Sequence, residues 1–409
     1  MRFRLSRRRV LLLAVIGVLC LPPLWIGAKL VKSGHASLWA PAYFRDQVAG
    51  RNSRADQTED LIVVLCDHWE PGQGEKNIAA ATTWLQQYKA IADRYHDSQG
   101  RVVQYSWFYP IDNQERRIMD ELARAAFEGY GEVEVHWHHN HQDRDAYIAD
   151  LEAGLQMFKA TGALLSEPGG PLHWCFIHGN WALDGSVPGR CGIPDEITIL
   201  QEHGCYADLT FPATGFAAQP RTINRIYRVQ DTPAAKSYDT GTLVRAGEPA
   251  EGFLMLPGPL GLDFRNPLIL IENAAIDDAE GSGFSGRIRP PKTYRDYFKA
   301  SRIKLWDGIH VSVEGRPEWC FVKLHAHGMA SWDELLGGEY DELFSQLGDY
   351  CQQRGIRLHY VTAREACNIV FAAERGLTGD PDPYRDLVIP PPLNRVQAMP
   401  AGTEGEPET

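Results

Sequence analysis

The sequence has no CxxC pair, no internal repeat and, over residues 1–32, no acidic side chain. Without paired cysteines, structural zinc held by thiolate pairs is not expected. The lack of a repeat excludes a repeat array. Eight cysteines are present, Cys20 within an apolar run and seven beyond it. Seven is odd, so at least one thiol is free or pairs with another chain, and the spacings reveal no disulfide framework. The body is also poor in basic charge. Residues 1–32 hold seven basic residues, so with the chain at −12 the remainder carries −19. Phosphate binding needs clustered Lys and Arg, which argues against nucleic acid as a partner.

What is present begins with that basic, acid-free stretch. Arg7-Arg8-Arg9 precedes an apolar run over residues 10–28, at the lower edge of the length that spans a bilayer. The basic flank should stay cytoplasmic and place the body outside, periplasmic in a Gram-negative cell. Gly27-Ala28 supplies small residues, but Ile26 departs from an A-x-A cleavage site, which favours an uncleaved signal anchor over a cleaved signal peptide. The arginine run loosely resembles a twin-arginine signal, although an ordinary basic leader is the preferred reading. The expected division is a signal anchor over 1–32, a polar linker over 33–59, one domain over 60–376 and a Pro-rich disordered tail over 377–409.

The hydrophobic fraction is 44% and the charged fraction 23%, ordinary for a globular body. Residues 61–66 form a short, wholly apolar run, as in a strand buried in a parallel sheet. Helical and strand patterns then alternate: helix over 75–95, strand over 101–108, helix over 114–127, strand over 132–138, helix over 143–159, strand over 172–177. A helix begins near 194–196, with Pro and two acids in its first turn, and a strand spans 206–211. The stretch 212–292 is less regular, with apolar segments at 253–256 and 268–271. The rhythm returns with helix 294–304, strand 320–324, helix 332–353, strand 357–361 and helix 363–374. This order predicts an α/β fold, a distorted (β/α)7–8 barrel in a single domain.

In such a barrel, chemistry gathers at the carboxyl ends of the strands. The segments found there are Asp67-His68-Trp69-Glu70, His136 to His141, His178-Gly179-Asn180-Trp181, Asp208 and His325-Ala326-His327. Eight of the fourteen histidines lie in them, which scattered surface histidines would not do. Glu134-x-His136-x-His138 is the strongest signal, because side chains two apart on a strand point the same way and two imidazoles can grip one cation. Asp67 offers a ligand or a general base, or alternatively a loop cap. His68 is a ligand or a loop hydrogen-bonder. His139 and His141 are expected to face away, and Glu70, before Pro71, to be a loop carboxylate. Asn180 and Trp181 could hold a sugar by hydrogen bonding and stacking, or form a packed turn. Asp208 could sit satisfied at the rim.

These segments together resemble the polysaccharide-deacetylase (NodB-like) superfamily. More specifically, the chain is similar to a group of bacterial glycoside hydrolase/deacetylase barrels. The segments that carry the resemblance are Asp67-His68-Trp69-Glu70-Pro71, Gly131 through His139, His178 through Leu183, Gly204 through Asp208, Val322 through Gly328 and His359 through Glu365. Where deacetylases carry paired aspartates after the first strand, this chain has Asp67-His68. Gln142 stands where their second motif has its second histidine, and Leu324-His325-Ala326-His327 echoes their late L-x-x-H motif. The resemblance implies a metal-dependent hydrolase that removes N-acyl, mostly acetyl, groups from an extracytoplasmic polysaccharide. His68, His136 and His138 would hold one divalent cation, zinc the first expectation. Asp67 would act as base, His325 or His327 as acid, and Asn180, Trp181 and Asp208 would line the substrate. Two rivals stand beside it. One is a glycoside hydrolase using two carboxylates among Asp67, Glu70, Glu134 and Asp208. The other is a non-catalytic polysaccharide-binding barrel.

Overall fold

The computed structural model describes residues 35–51, 54–263, 271–272 and 300–397, together with Gly27. The apolar run 10–28 apart from Gly27, most of the apolar stretch 268–271, the start of the expected 294–304 helix and the chain beyond 397 lie outside the described residues. Among the described residues, no helix is long and apolar enough to cross a membrane.

The elements follow the expected alternation. Helix α1 (Ala36–Val48) precedes β1 (Asp60–His68), α2 (Glu75–Ala92), β2 (Tyr105–Pro110), α3 (Arg116–Phe127), β3 (Gly131–Trp137), α4 (Arg144–Ala160), β4 (Trp174–His178), α5 (Glu196–Glu202) and β5 (Cys205–Asp208). Short strands β6 (Tyr227–Val229), β7 (Thr242–Leu243), β8 (Phe253–Met255), β9 (Gly261–Leu262) and β10 (Ile271–Glu272) follow. The chain then runs through α6 (Ala300–Ile309), β11 (Trp319–Ala326), α7 (Tyr340–Arg354), β12 (Arg357–Val361), α8 (Ala363–Glu374) and α9 (Leu393–Val396). Local chemistry sets the helix starts. Asp143 accepts from Ala146 N at 2.9 Å at the start of α4, and Thr362 and Glu365 form a reciprocal capping box at α8.

Ten strands form one mostly parallel sheet in the order β11-β1-β2-β3-β4-β5-β8-β6-β7, with β12 paired to β1. Asp60–Val64 of β1 pair with β12, and Cys66–His68 pair with β2. Because β11 lies along the whole opposite edge, β12 and β2 share one edge of β1. The fold class is thus α/β with a mostly parallel central sheet, but no strand pairing among the described residues closes it into a barrel. A side chain spans the curvature instead. Lys323 on β11, buried, donates through Nζ to Leu209 O at 2.5 Å and Phe211 O at 3.0 Å in the loop after β5.

Alternation along each strand splits the side chains between two layers. Leu61, Val63 and Leu65 of β1, Val133, Val135 and Trp137 of β3, and Trp174 and Phe176 of β4 join the core shared with α2, α3, α4 and α7. Ile62, Val64 and Cys66 of β1, Cys175 and Ile177 of β4, and Phe321 of β11 join a second core whose helix is α8. The register Pro110↔His136 and His136↔Ile177 aligns the strand ends laterally.

Two expectations need correction. The stretch 33–59 is not simply a linker: α1 buries Trp39 and Tyr43, one turn apart, against Ile223 and Leu260. The Pro-rich region is also ordered as far as 397. Arg385 donates to Tyr360 O at 2.6 Å and pairs with Asp97 and Glu365 at 3.0 Å each. Arg395 reaches Glu132 at 2.7 Å. These buried ion pairs hold a segment whose composition alone promised little apolar burial.

Replacing Lys323 by Met, which keeps length but removes the donor, should lower unfolding free energy by about 2 kcal/mol, since it strands the Leu209 carbonyl while Phe211 O keeps its bond from Gly258 N. Urea denaturation measures this. An unchanged midpoint would mean that the cross-sheet contact contributes nothing.

Candidate metal centre

At the carboxyl ends of β1 and β3, one donor atom each from Glu70, His136 and His138 lies within 4.8 Å of the others. His136 Nε2 stands 3.1 Å and His138 Nε2 2.7 Å from the same Glu70 Oε1. The opposite ring nitrogens are turned to acceptors. His136 Nδ1 meets Ile177 O at 2.9 Å, and His138 Nδ1 faces Asp112 Oδ2 at 3.5 Å. A carbonyl can only accept, so the Ile177 contact places a proton on His136 Nδ1 and leaves the Nε2 lone pair aimed at a carboxylate oxygen. Two nitrogen lone pairs and a carboxylate converging on one point, each imidazole oriented from behind, is the donor set a divalent cation takes.

Without a cation, a proton must do that work. Burial disfavours charge on His138, but its hydrogen bonds to Asp112 and Glu70 outweigh it and raise the imidazole to about 9. Burial pushes Glu70 up, but the His136 and His138 contacts prevail and hold it well below the usual carboxylate range. Burial keeps His136 below the usual histidine range, partly offset by Glu70.

His68 and His325 stay neutral. The His68 ring lies 4.6 Å from that of His136 and 4.6 Å from that of His327. Its Nε2 is buried without a hydrogen-bond partner, and burial, with the nearby histidines, holds its pKa well below the ordinary value. Burial and Lys323 do the same for His325. Trp181 is buried, with φ +53°, and its ring stacks on His68 at 4.7 Å and stands edge-on to His325 at 5.3 Å. Trp181 therefore packs the histidines in place. Asn180 donates from Nδ2 to His139 O at 2.8 Å, tying the loop after β4 to the end of β3. Asp208 accepts from Thr210 N at 3.0 Å and Thr210 Oγ1 at 2.7 Å, and burial raises it to about 7 against those bonds.

Asp67 lies on the other face from His68. Its Oδ2 accepts from Tyr105 OH at 2.6 Å and its Oδ1 from Gly328 N at 2.7 Å, so it ties β1 to the loop carrying His327. The structure thus gathers His68, His136, His138, His325 and His327, with Trp181 against them. Asp67 is directed into the helical layer, and Asp208 is engaged by its own turn. Asp112 was missed, and Glu70 was read as a loop carboxylate or one of a carboxylate pair rather than as a metal ligand. Both follow strand ends, where the rule that found the histidines applies equally, but Asp112 has no other ligand type beside it in sequence, and Glu70 stands before a proline that marks a loop. Gly179 was missed too: a Cβ there would stand 2.3 Å from His138 Cδ2, so only glycine leaves room for that ring.

No protein-family model matches the chain, and a search of curated proteins finds no match.

Gly179→Ala should displace the His138 imidazole and weaken metal binding at this centre about tenfold or more, with little loss of fold; calorimetric titration alongside circular dichroism tests it, and unchanged affinity would refute it. The pH dependence of the metal-free protein has a defined sign. His138 is raised from 6.5, so its contribution is complete below about pH 6.5 and is lost as pH rises through about 9. Glu70 is lowered from 4.5, so its contribution is present above about pH 4.5 and is lost on further acidification. The stability difference between wild type and His138→Gln should therefore be largest between those limits and fade above about pH 9. A flat difference across the range would show that the pair is not coupled in solution.

Proposed function

We propose that the chain is a metal-dependent hydrolase that removes N-acyl groups from an extracytoplasmic polysaccharide, with Glu70, His136 and His138 holding the cation. The observation that carries this is the convergence of two imidazole Nε2 atoms on one Glu70 oxygen, each ring oriented through its Nδ1. A divalent cation held there supplies a Lewis acid that acidifies water and polarises an acyl carbonyl. Zinc suits a set of two nitrogens and one carboxylate that leaves room for a further ligand. Asp112 orients His138, and the Ile177 carbonyl fixes the tautomer of His136. His68, neutral and with an unpartnered Nε2, serves as proton acceptor, and His327 returns a proton to the leaving nitrogen. Asp67 becomes a positioning residue that holds Gly328 and, through it, the His327 loop.

The substrate class rests on the motif resemblance and on the export segment expected at residues 10–28. The carboxylate-pair alternative draws less support. Of Asp67, Glu70, Glu134 and Asp208, only Glu70 is not buried. Glu134 accepts from Cys175 N at 2.6 Å, and burial pushes it well above the usual carboxylate range.

The test is metal content and acetate release from N-acetylated glycans. Wild type should release acetate in a chelator-sensitive way. His136→Ala/His138→Ala should lose one equivalent of metal and all activity. Asp67→Asn should keep its metal and the acidic limb of its pH–rate profile, whereas His68→Gln should keep its metal and lose that limb. Full activity in the double variant would overturn the reading, and loss of the limb in Asp67→Asn would return the base role to Asp67.

A further inference from the structure

The carboxyl ends of β3 and β4 carry a second cluster on the opposite layer. His139 follows Trp137 by two, and His178 follows Phe176 by two, so both continue the face that packs on the helices. There they meet Cys191 from the loop after β4 and Glu196 at the start of α5. All four residues are buried, and one donor atom from each lies within 4.8 Å of the other three. His139 Nε2 is 2.6 Å from Glu196 Oε1, and Cys191 Sγ is 3.0 Å from Glu196 Oε2. The His139 and His178 rings stand 4.3 Å apart. Tyr147 OH and Asp184 N also donate to Glu196, at 3.1 and 2.6 Å, fixing its carboxylate.

Protons alone leave this cluster incomplete. His178 Nε2 and His139 Nδ1 are buried without hydrogen-bond partners, an arrangement that proteins rarely tolerate in a dry interior. We infer that His139, His178, Cys191 and Glu196 form a closed structural zinc site, distinct from the Glu70 centre and separated from it by the sheet. Two imidazoles, one thiolate and one carboxylate complete a tetrahedral zinc shell, and the thiolate sets it apart from sites for magnesium or calcium. Binding replaces the Cys191 thiol proton, which leaves to solvent. Each imidazole remains neutral, with its single proton on the nitrogen turned away from the ion. Asn180 N now donates to His178 Nδ1 at 3.1 Å, so coordination through Nε2 opens that one contact. The site's function is mechanical. It clamps the ends of β3 and β4 and the start of α5 directly behind the residues that carry His136 and His138.

Cobalt separates this site from the other because only this one contains sulfur. Full-length protein is refolded with chelator, freed of chelator and titrated with Co2+. A near-ultraviolet thiolate-to-cobalt charge-transfer band should grow to one equivalent. It should persist in His136→Ala/His138→Ala, whose Glu70 centre is disabled, and disappear in Cys191→Ser, a substitution small enough to keep the fold. Zinc binding should fall from two equivalents to one in either variant. Absence of the band in folded wild type would overturn the proposal, as would its survival in Cys191→Ser. Neither result depends on whether the protein hydrolyses anything.

Discussion

The two-residue repeat of an extended strand is the constraint from which the rest follows. Along β3 it sends Val133, Val135 and Trp137 to the helices and Glu134 and His136 to the other layer. Along β1 it separates two adjacent polar residues completely. His68 joins the histidines, and Asp67 is delivered to Tyr105 and Gly328. Adjacent residues in the sequence therefore serve different layers, and a run such as His136 to His139 is two half-sites interleaved rather than one patch.

The same alternation explains what could be read from the sequence. Strand and helix order was legible because apolar runs, caps and helical periods agree locally, as in the apolar run of β1 and the Thr362–Glu365 box. The pairing of His136 with His138 was legible for the same reason. The approach of Glu70 and Asp112 to those rings was not, because each comes from a loop whose path depends on packing between strands that are neighbours only in space. Asp67 was misplaced because position at a strand end was weighed without the face. The packing of 382–396 was hidden because its anchors are arginines that find acids more than two hundred residues away, such as Arg385 with Asp97 and Arg395 with Glu132. Composition is blind to such pairs.

The two ends of the sheet are built from different materials. The carboxyl end holds histidines kept neutral by burial. At the amino end, Arg364 grips Glu132 through Nε and Nη2 at 3.0 and 2.8 Å while Thr362 Oγ1 donates to the same carboxylate at 2.8 Å. Such buried pairs cost much to desolvate, so their strength lies in mutual satisfaction: removing one partner leaves the other charged and stranded. Fully buried ion pairs at one end, and at the other neutral histidines beside a single half-buried His138–Glu70 pair, let the chemical end vary without loosening the frame.

The shared edge of β1 carries a consequence for how the chain reaches this state. The first strand made is flanked on one side by β11 and on the other by β12 and β2. Only β2 lies nearby in sequence; the other two are the last strands synthesised. Until some three hundred residues have emerged, Asp60–Leu65 of β1 have no strand partner, and they are among the most apolar segments of the body. Loop closure over that separation is slow, and an unpaired apolar strand invites pairing with other chains. A strand flanked on both sides in the finished sheet is therefore left largely bare in the nascent one, and productive folding of this chain is a race between its last strands and any neighbouring molecule.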